Sequence, residues 1–435
     1  MRQPMRGPVL LAYAAFVFVG VNAGVTGVLL AAQMDDYAVS RATLGLTFFA
    51  GSAGFVLAGV TAGALIQRYG TRIAVATGCC VYALAALYAA TRPAFAALVV
   101  LQVASGYGVG VLESVLNAYL SALPDATTLL NRLHGFFGVG ALLGPPLAAA
   151  IVAVASWPTV MLLLGVVAIP LIACFLIVYP RAGPDPAAAK PESPAAPESP
   201  AAAKPESSAA AKPESSAAAK LESPAPGGLA GLAVRQPGVL LGAALLAVYV
   251  GLELGMGNWA FGYLVQARGQ AAVLAGYAVS GYWLGLTAGR FLLGPTVTRL
   301  GLTASGLMWT CLAGVTVVTT LTWLLPGKAV AAAGLVLLGF FLGPIFPTAM
   351  AVAPRLTTAR LVPASIGIMN AGSVVGGSMF PWLAGAIAEG TGVWTLLPFT
   401  LALSLLQLLI WGPMARRVGA HPESPSRVTG SVART

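Results

Sequence analysis

Long apolar runs return along nearly the whole of this chain. Each is long enough to cross the ~30 Å of hydrocarbon in a bilayer, which takes about 20 residues of helix. About twelve can be read, at roughly 9–32, 44–66, 73–91, 94–120, 132–155, 158–180, 237–266, 272–297, 302–325, 328–352, 362–388 and 393–413. A lipid interior offers the backbone no water, so such segments fold as helices that satisfy their own hydrogen bonds. The expected fold class is an all-α polytopic membrane protein of about twelve transmembrane helices. Composition agrees, since only 8% of the 435 residues are charged, against roughly 25% in soluble domains. No short apolar region is followed by a small-residue cleavage site, so the first run is expected to stay in the membrane.

The net charge of +10 would suit a nucleic-acid partner only if it were clustered on one surface. It alternates between loops instead. With the N-terminus in the cytoplasm, Arg2, Arg6, Arg68, Arg72, Arg132, Arg299, Arg355, Arg360 and the basic tail fall inside. Arg41, Arg92, Arg268 and Lys328 fall outside, diluted by Asp35, Asp36 and Glu389. Positive charge on the inner loops sets membrane topology. The expectation is therefore a multi-pass protein of the cell inner (plasma) membrane, both termini cytoplasmic, with no nucleic-acid partner. Cys79, Cys80, Cys174 and Cys311 all lie in apolar runs without metal-ligand spacing, and are expected to be small core residues.

Residues 181–236 break the pattern. KPES at 190, 204 and 212 and KLES at 220 sit among Ala, Pro and Ser, too polar to bury a core and suited to a flexible cytoplasmic linker. It divides an N-terminal six-helix half (1–180) from a C-terminal one (237–415), with a disordered cytoplasmic tail at 416–435. The halves echo each other. Gly63, Arg68 and Gly70 recur as Gly294, Arg299 and Gly301, and Gly140-xxx-Gly144 recurs as Gly372-xxx-Gly376. Parallel repeats of this kind are a transporter architecture, with the binding site between the halves. Gly106, Gly108, Gly110, Gly339, Gly343 and Gly377 add small-residue spacings that let helices approach closely in lipid.

The loop Gly63–Arg72 resembles the signature loop of the major facilitator superfamily, G-x-x-x-D-R-x-G-R-[RK]. Gln67 stands where that pattern has an acid, and Thr71 replaces the first of its closing basic pair. The stretches GVGVLESVLNAYL, NRLHGFFGVGALLGP, YVGLELGMGNW, GYWLGLTAGRFLLG and GPIFPT are similar to the fucose-permease-like branch of the family. The resemblance implies two pseudo-symmetric halves, alternating access and a protonatable glutamate at Glu113. That branch's sugar–proton symporters also carry an aspartate in the first span, where Gly27 stands here, so fucose itself is not implied.

Two carboxylates lie well inside spans, Glu113 and Glu253. Burial disfavours the charged form of a carboxylate, which suits proton coupling; the alternative is an acid that only ties helices together. Arg290, the one basic residue well inside a span, needs a counter-charge, water or carbonyls. Equal depth counted from the cytoplasmic helix ends makes Glu113 its expected partner. Arg68, Arg72 and Arg299 are the further gating candidates. Asn22, Asn117, Asn258, Trp259, Tyr282, Trp283 and Asn370 are candidate substrate contacts, since amides bond hydroxyls and aromatic faces stack on sugar rings.

These readings together describe a proton-coupled secondary transporter of a small organic solute, sugar- or polyol-like. The partners are the solute, protons and the bilayer; the protein is expected to act as a monomer, without cofactor or catalytic site. A drug or metabolite exporter is the alternative within the carrier class. A non-transporting receptor or scaffold, or a membrane enzyme, is the alternative outside it.

Overall fold

The computed structural model describes residues 6–180, 231–299 and 303–420. The linker expected at 181–236 lies outside the described residues up to 230, and so does the tail from 421. Residues 231–234 add a helical turn ahead of Pro237, with Ala233 buried.

The described residues are helical throughout the spans. Among the described residues ten helices are long and apolar enough to cross a membrane. One of them, the run from Leu46 to Ala89, doubles back at Gly70, where φ is 79° and ψ 162°, a backbone region open essentially only to glycine. It supplies two spans, α2 (46–69) and α3 (71–89). Ala272–Arg299, 28 residues long, completes the set. In order the spans are α1 (Arg6–Tyr37), α2, α3, α4 (Phe95–Ser121), α5 (Ala126–Val154) and α6 (Trp157–Val178). The second half holds α7 (Pro237–Gly262), α8 (Ala272–Arg299), α9 (Ala304–Leu324), α10 in two pieces (Lys328–Leu342 and Ile345–Val352), α11 (Val362–Thr391) and α12 (Leu396–Ala420). Successive spans reverse direction, so α1 begins and α12 ends at one end of the bundle, here called the base. The opposite end is the crown.

The halves are built alike. In the first, α1 packs on α5, α2 on α4 and α3 on α6; in the second, α7 packs on α11, α8 on α10 and α9 on α12. Glycines set the tightest of these crossings in both halves. A Cβ at Gly140 would fall on the Val17 carbonyl oxygen, and one at Gly376 on that of Ala247. Likewise a Cβ at Gly54 would strike the Val103 carbonyl, and one at Gly289 that of Phe340. Two apolar helices in lipid gain little from hiding apolar surface, so this close approach and its dispersion energy hold the crossings together.

Not every apolar position is core. Cys79 and Cys311 are buried as expected, but Cys80 and Cys174 are exposed on the bundle's outer surface. A lipid-facing position accepts the same apolar side chains as an interior one, so hydropathy alone does not separate them.

The crossing of α2 and α4 yields a paired test. Gly54→Ala forces a methyl onto backbone and is expected to lower stability by about 1–3 kcal/mol. Gly59→Ala, on the same helix with nothing within 4 Å of its Cβ position, is expected to be neutral or slightly stabilising. Thermal unfolding of the two variants in one detergent checks the contrast.

Candidate functional site: the cavity between the halves

Between the halves lies a cavity of about 420 Å³. Its walls come from one face each of α1, α2, α4, α7 and α11, with Met161 of α6 added. On α1 the lining residues Asn22, Thr26, Leu29 and Gln33 recur at helical spacing; on α4 Gln102, Gly106 and Val109 do the same. Val250, Leu254 and Asn258 line it from α7, and Ser373, Val374 and Gly377 from α11. Among the described residues the lining holds amides and hydroxyls but no charged side chain. Asn22 is held in place by Tyr82 of α3, whose hydroxyl donates to its Oδ1 at 2.7 Å.

The same faces continue toward the base. Glu113 follows Val109 by one turn of α4, and Asn117 follows Glu113; both are half-buried. The Asn117 amide donates to the Glu113 carbonyl at 2.8 Å, while the Glu113 carboxylate has no hydrogen bond or ion pair to a described residue. Asn370, one turn basal to Val374 on α11, is exposed. Asn22 and Asn258 are thus brought to the cavity, and Glu113, Asn117 and Asn370 to its basal approach.

Trp259, Tyr282 and Trp283 are not brought to it. Trp259 is buried between α7 and α11, donating from Nε1 to the Pro381 carbonyl at 2.8 Å. Tyr282 is fully buried and donates to the Glu253 carbonyl at 2.9 Å. Trp283 lines a separate small cavity between α5 and α8. Arg68 is exposed at the α2–α3 turn with its guanidinium over the Tyr69 ring, and Arg72 is half-buried there. The Arg299 side chain lies outside the described residues. The sequence reading missed Gln33, Gln102, Ser105 and Ser373. Their spacing was the available signal, because polar residues at i, i+3 or i+4, i+7 and i+11 of an apolar span mark one wetted face.

The chain matches the Major Facilitator Superfamily over residues 12–302, well over half its length. It belongs to that superfamily. It is 27% identical over 427 residues to Bypass of stop codon protein 6 of Saccharomyces cerevisiae, covering 94% of this chain and 82% of that protein. It is 25% identical over 184 residues to the 4-hydroxybenzoate transporter PcaK of Pseudomonas aeruginosa, covering 39% of this chain and 38% of that one. In fold it is similar to a bacterial homolog of the human lysosomal transporter Spinster in an inward-facing, unoccupied conformation. That match has a TM-score of 0.76 at 11% identity and covers 98% of this chain and 100% of the other. A D-xylose–proton symporter matches with a TM-score of 0.69 at 13% identity, covering 93% and 97%.

In this superfamily member the expected ion pair is replaced by another. Arg290 does not reach Glu113; its Nη2 donates to Glu253 Oε1 at 3.1 Å, within the second half. Counting residues from helix ends gave the two side chains equal depth but ignored which helices touch. α8 packs beside α7 and α10, and both offer Arg290 an acceptor. Pro347 has no N–H for the carbonyl four residues before it, and Arg290 Nε donates to that freed Gly343 carbonyl at 3.3 Å.

The halves are tied at the crown. Arg41, on the short helix Arg41–Leu44 before α2, reaches the second half twice: its backbone N–H donates to Glu389 Oε2 at 2.7 Å, and its guanidinium to Gln266 at 2.8 Å. Trp382 of α11 donates from Nε1 to the Ala42 carbonyl at 3.1 Å and meets Phe49 edge-on. α5 and α8 pack along their length, with the Ser280 hydroxyl donating to the Leu142 carbonyl.

The crown latch is open to test. Glu389 is largely exposed, so its pair with Arg41 contributes about 1 kcal/mol or less. Glu389→Gln is expected to raise labelling of a cysteine placed at Ser52, in a background lacking the native cysteines, by up to about fivefold from the crown side. Trp382→Ala, which removes a hydrogen bond and a ring contact together, should raise it further. Rates with a membrane-impermeant maleimide give the readout.

Proposed function

We propose that this superfamily member is a secondary active transporter of a small hydroxylated organic solute, sugar- or polyol-like, working by alternating access and coupled to protons. The observation that carries the reading is the cavity itself, uncharged and furnished with amides and hydroxyls from both halves. Amide and hydroxyl groups donate and accept, which matches solute hydroxyls in either sense. A site built this way rejects analogues lacking them, because its own polar groups would be left unpaired. The apolar remainder of the wall suits the C–H faces of a carbon ring or chain. The likeness in fold to a D-xylose–proton symporter is in keeping with this class.

Glu113 is the proposed proton carrier. Its carboxylate has no partner among the described residues, and it stands one turn from the cavity on the cavity-facing side of α4. Protonating it changes the charge of the basal approach at little structural cost. The excess of arginine on the basal loops supports a cytoplasmic base in the plasma membrane, which makes the described conformation, latched at the crown, inward-facing. Both termini are then cytoplasmic. A monomer suffices, since both halves of the site come from one chain.

One feature favours a second reading, an exporter of amphiphilic solutes. A gap of about 510 Å³ between α2 and α11 shares Ser52 and Val374 with the cavity and, Ser378 apart, is otherwise lined by apolar side chains such as Phe49, Val56, Leu57, Val60 and Val375. It gives a solute with an apolar tail a path from the bilayer.

Reconstituted vesicles with an imposed pH gradient separate the readings. Labelled hexoses and polyols are expected to accumulate, and Asn258→Leu should cut their transport by about five- to a hundredfold, a loss of about 1–3 kcal/mol for an orphaned hydroxyl. Accumulation of lipophilic cations alone would favour the second reading. Glu113→Gln is expected to abolish accumulation against a gradient while leaving solute exchange intact; undiminished accumulation would make Glu113 structural.

A further inference from the structure

A second polar site lies apart from the main cavity, at the seam where α5 of one half meets α8 of the other. It is a small cavity of about 30 Å³ with His134, Trp283, Thr287 and Arg290 in its lining, closed by Phe137 and Phe291. That volume exceeds what one water requires and suits a head group of two or three atoms. Trp283 is only 4% exposed, and its indole N–H is buried without a partner, although a buried donor normally finds one. Arg290 engages Glu253 through Nη2 and the Gly343 carbonyl through Nε, which leaves guanidinium donors over. A guanidinium with donors to spare beside a gap of this size matches a carboxylate, which accepts two of them side by side, and the unpartnered Trp283 N–H on the same helix is a further donor close by.

Trp283 also packs against Gly257 of α7, the neighbour of the cavity-lining Asn258. The wall of the small cavity thus abuts the α7 wall of the large one. The groups facing Arg290 are Glu253 and Tyr249 from α7, Tyr282 from its own helix and His134 from α5. Of these Glu253 is the only acid. A buried arginine cannot satisfy two carboxylates while one positive charge opposes two negative ones.

We infer that Arg290 and Trp283 form a carboxylate site, that the transported solute is a polyhydroxy monocarboxylate, and that its acid group displaces Glu253, which takes up a proton as it leaves. The balance is one proton bound at Glu253 for each anion bound at Arg290, so the loaded site carries the same net charge as the empty one. Arg290 then belongs to the ligand when the site is full and to Glu253 when it is empty. This deepens the hydroxylated-solute reading and rests on it.

D-gluconate and sorbitol share a hydroxylated six-carbon chain and differ in the carboxylate, which makes them the probes. Binding is followed by thermal stabilisation of the purified full chain between pH 5.5 and 7.5, where gluconate stays anionic. Gluconate is expected to bind at least tenfold more tightly than sorbitol. Its apparent Kd should fall by up to about tenfold per unit fall in pH, the slope of one linked proton. Glu253→Gln should keep gluconate binding and lose the slope, while His134→Gln keeps the slope. Trp283→Phe should weaken gluconate severalfold and leave sorbitol unchanged. Arg290→Gln should erase the preference for gluconate; if it does not fold, Arg290→Gln combined with Glu253→Gln removes both charges and tests the same loss.

Equal binding of the two probes leaves the hydroxylated-solute reading standing and overturns the carboxylate site. Binding of neither overturns both. Gluconate bound as tightly without Arg290, or a pH slope that survives in Glu253→Gln, overturns the inference.

Discussion

A lipid interior gives two apolar helices almost no reason to prefer each other over the surrounding acyl chains. What remains is contact at short range, and this bundle obtains it where one helix presents a glycine to the carbonyl of the next. Gly140 against Val17, Gly54 against Val103, Gly289 against Phe340 and Gly376 against Ala247 place backbone on backbone, where any side chain would hold the helices apart. The remaining features hang on these crossings. They fix which faces of α1, α2 and α4 turn inward, and so which side chains can be polar without meeting lipid. The wetted faces with Asn22, Gln102 and Glu113 follow directly.

The same crossings hold each half together. Inside each half the helices interlock through glycine. Between the halves Gly27 of α1 meets the Gly257 carbonyl of α7 in the same way, and side chains add the ties at the crown and along the α5–α8 seam. A side-chain latch such as Arg41 with Glu389 and Gln266 can be exchanged for another at modest cost, whereas a glycine crossing cannot be loosened without opening a void. The alternating access proposed above needs two bodies that keep their shape and an interface between them that re-forms.

Charge inside the bundle is arranged on a similar principle. Arg290 cannot be neutralised, so the second half supplies an acid from α7 and a carbonyl from α10 that Pro347 has freed. The proline that interrupts the helix and the arginine that would be stranded in lipid each answer the other's unsatisfied group. Glu113 in the first half has no such answer and faces the basal approach. The two glutamates, alike in the sequence as single acids in apolar spans, therefore stand in different surroundings, one paired behind the cavity wall and one open to its approach.

The sequence by itself determined the class of fold, because the length of each apolar run and the absence of water in a bilayer leave helices as the only solution. It also determined the duplication, since the repeated loop and glycine spacings impose the same crossings twice. It marked Asn22, Asn258 and Glu113, because a polar group in an apolar span must turn inward. It did not determine what those groups meet. The partner of Arg290, the withdrawal of Trp259 and Tyr282 into the helix contacts, and the crown contacts of Arg41 were decided by which helices lie side by side. A hydrogen bond reaches about 3 Å, far less than the uncertainty of depth counted along a helix. Residues distant in the chain come within that reach only through the packing of the whole bundle, and no local pattern records it.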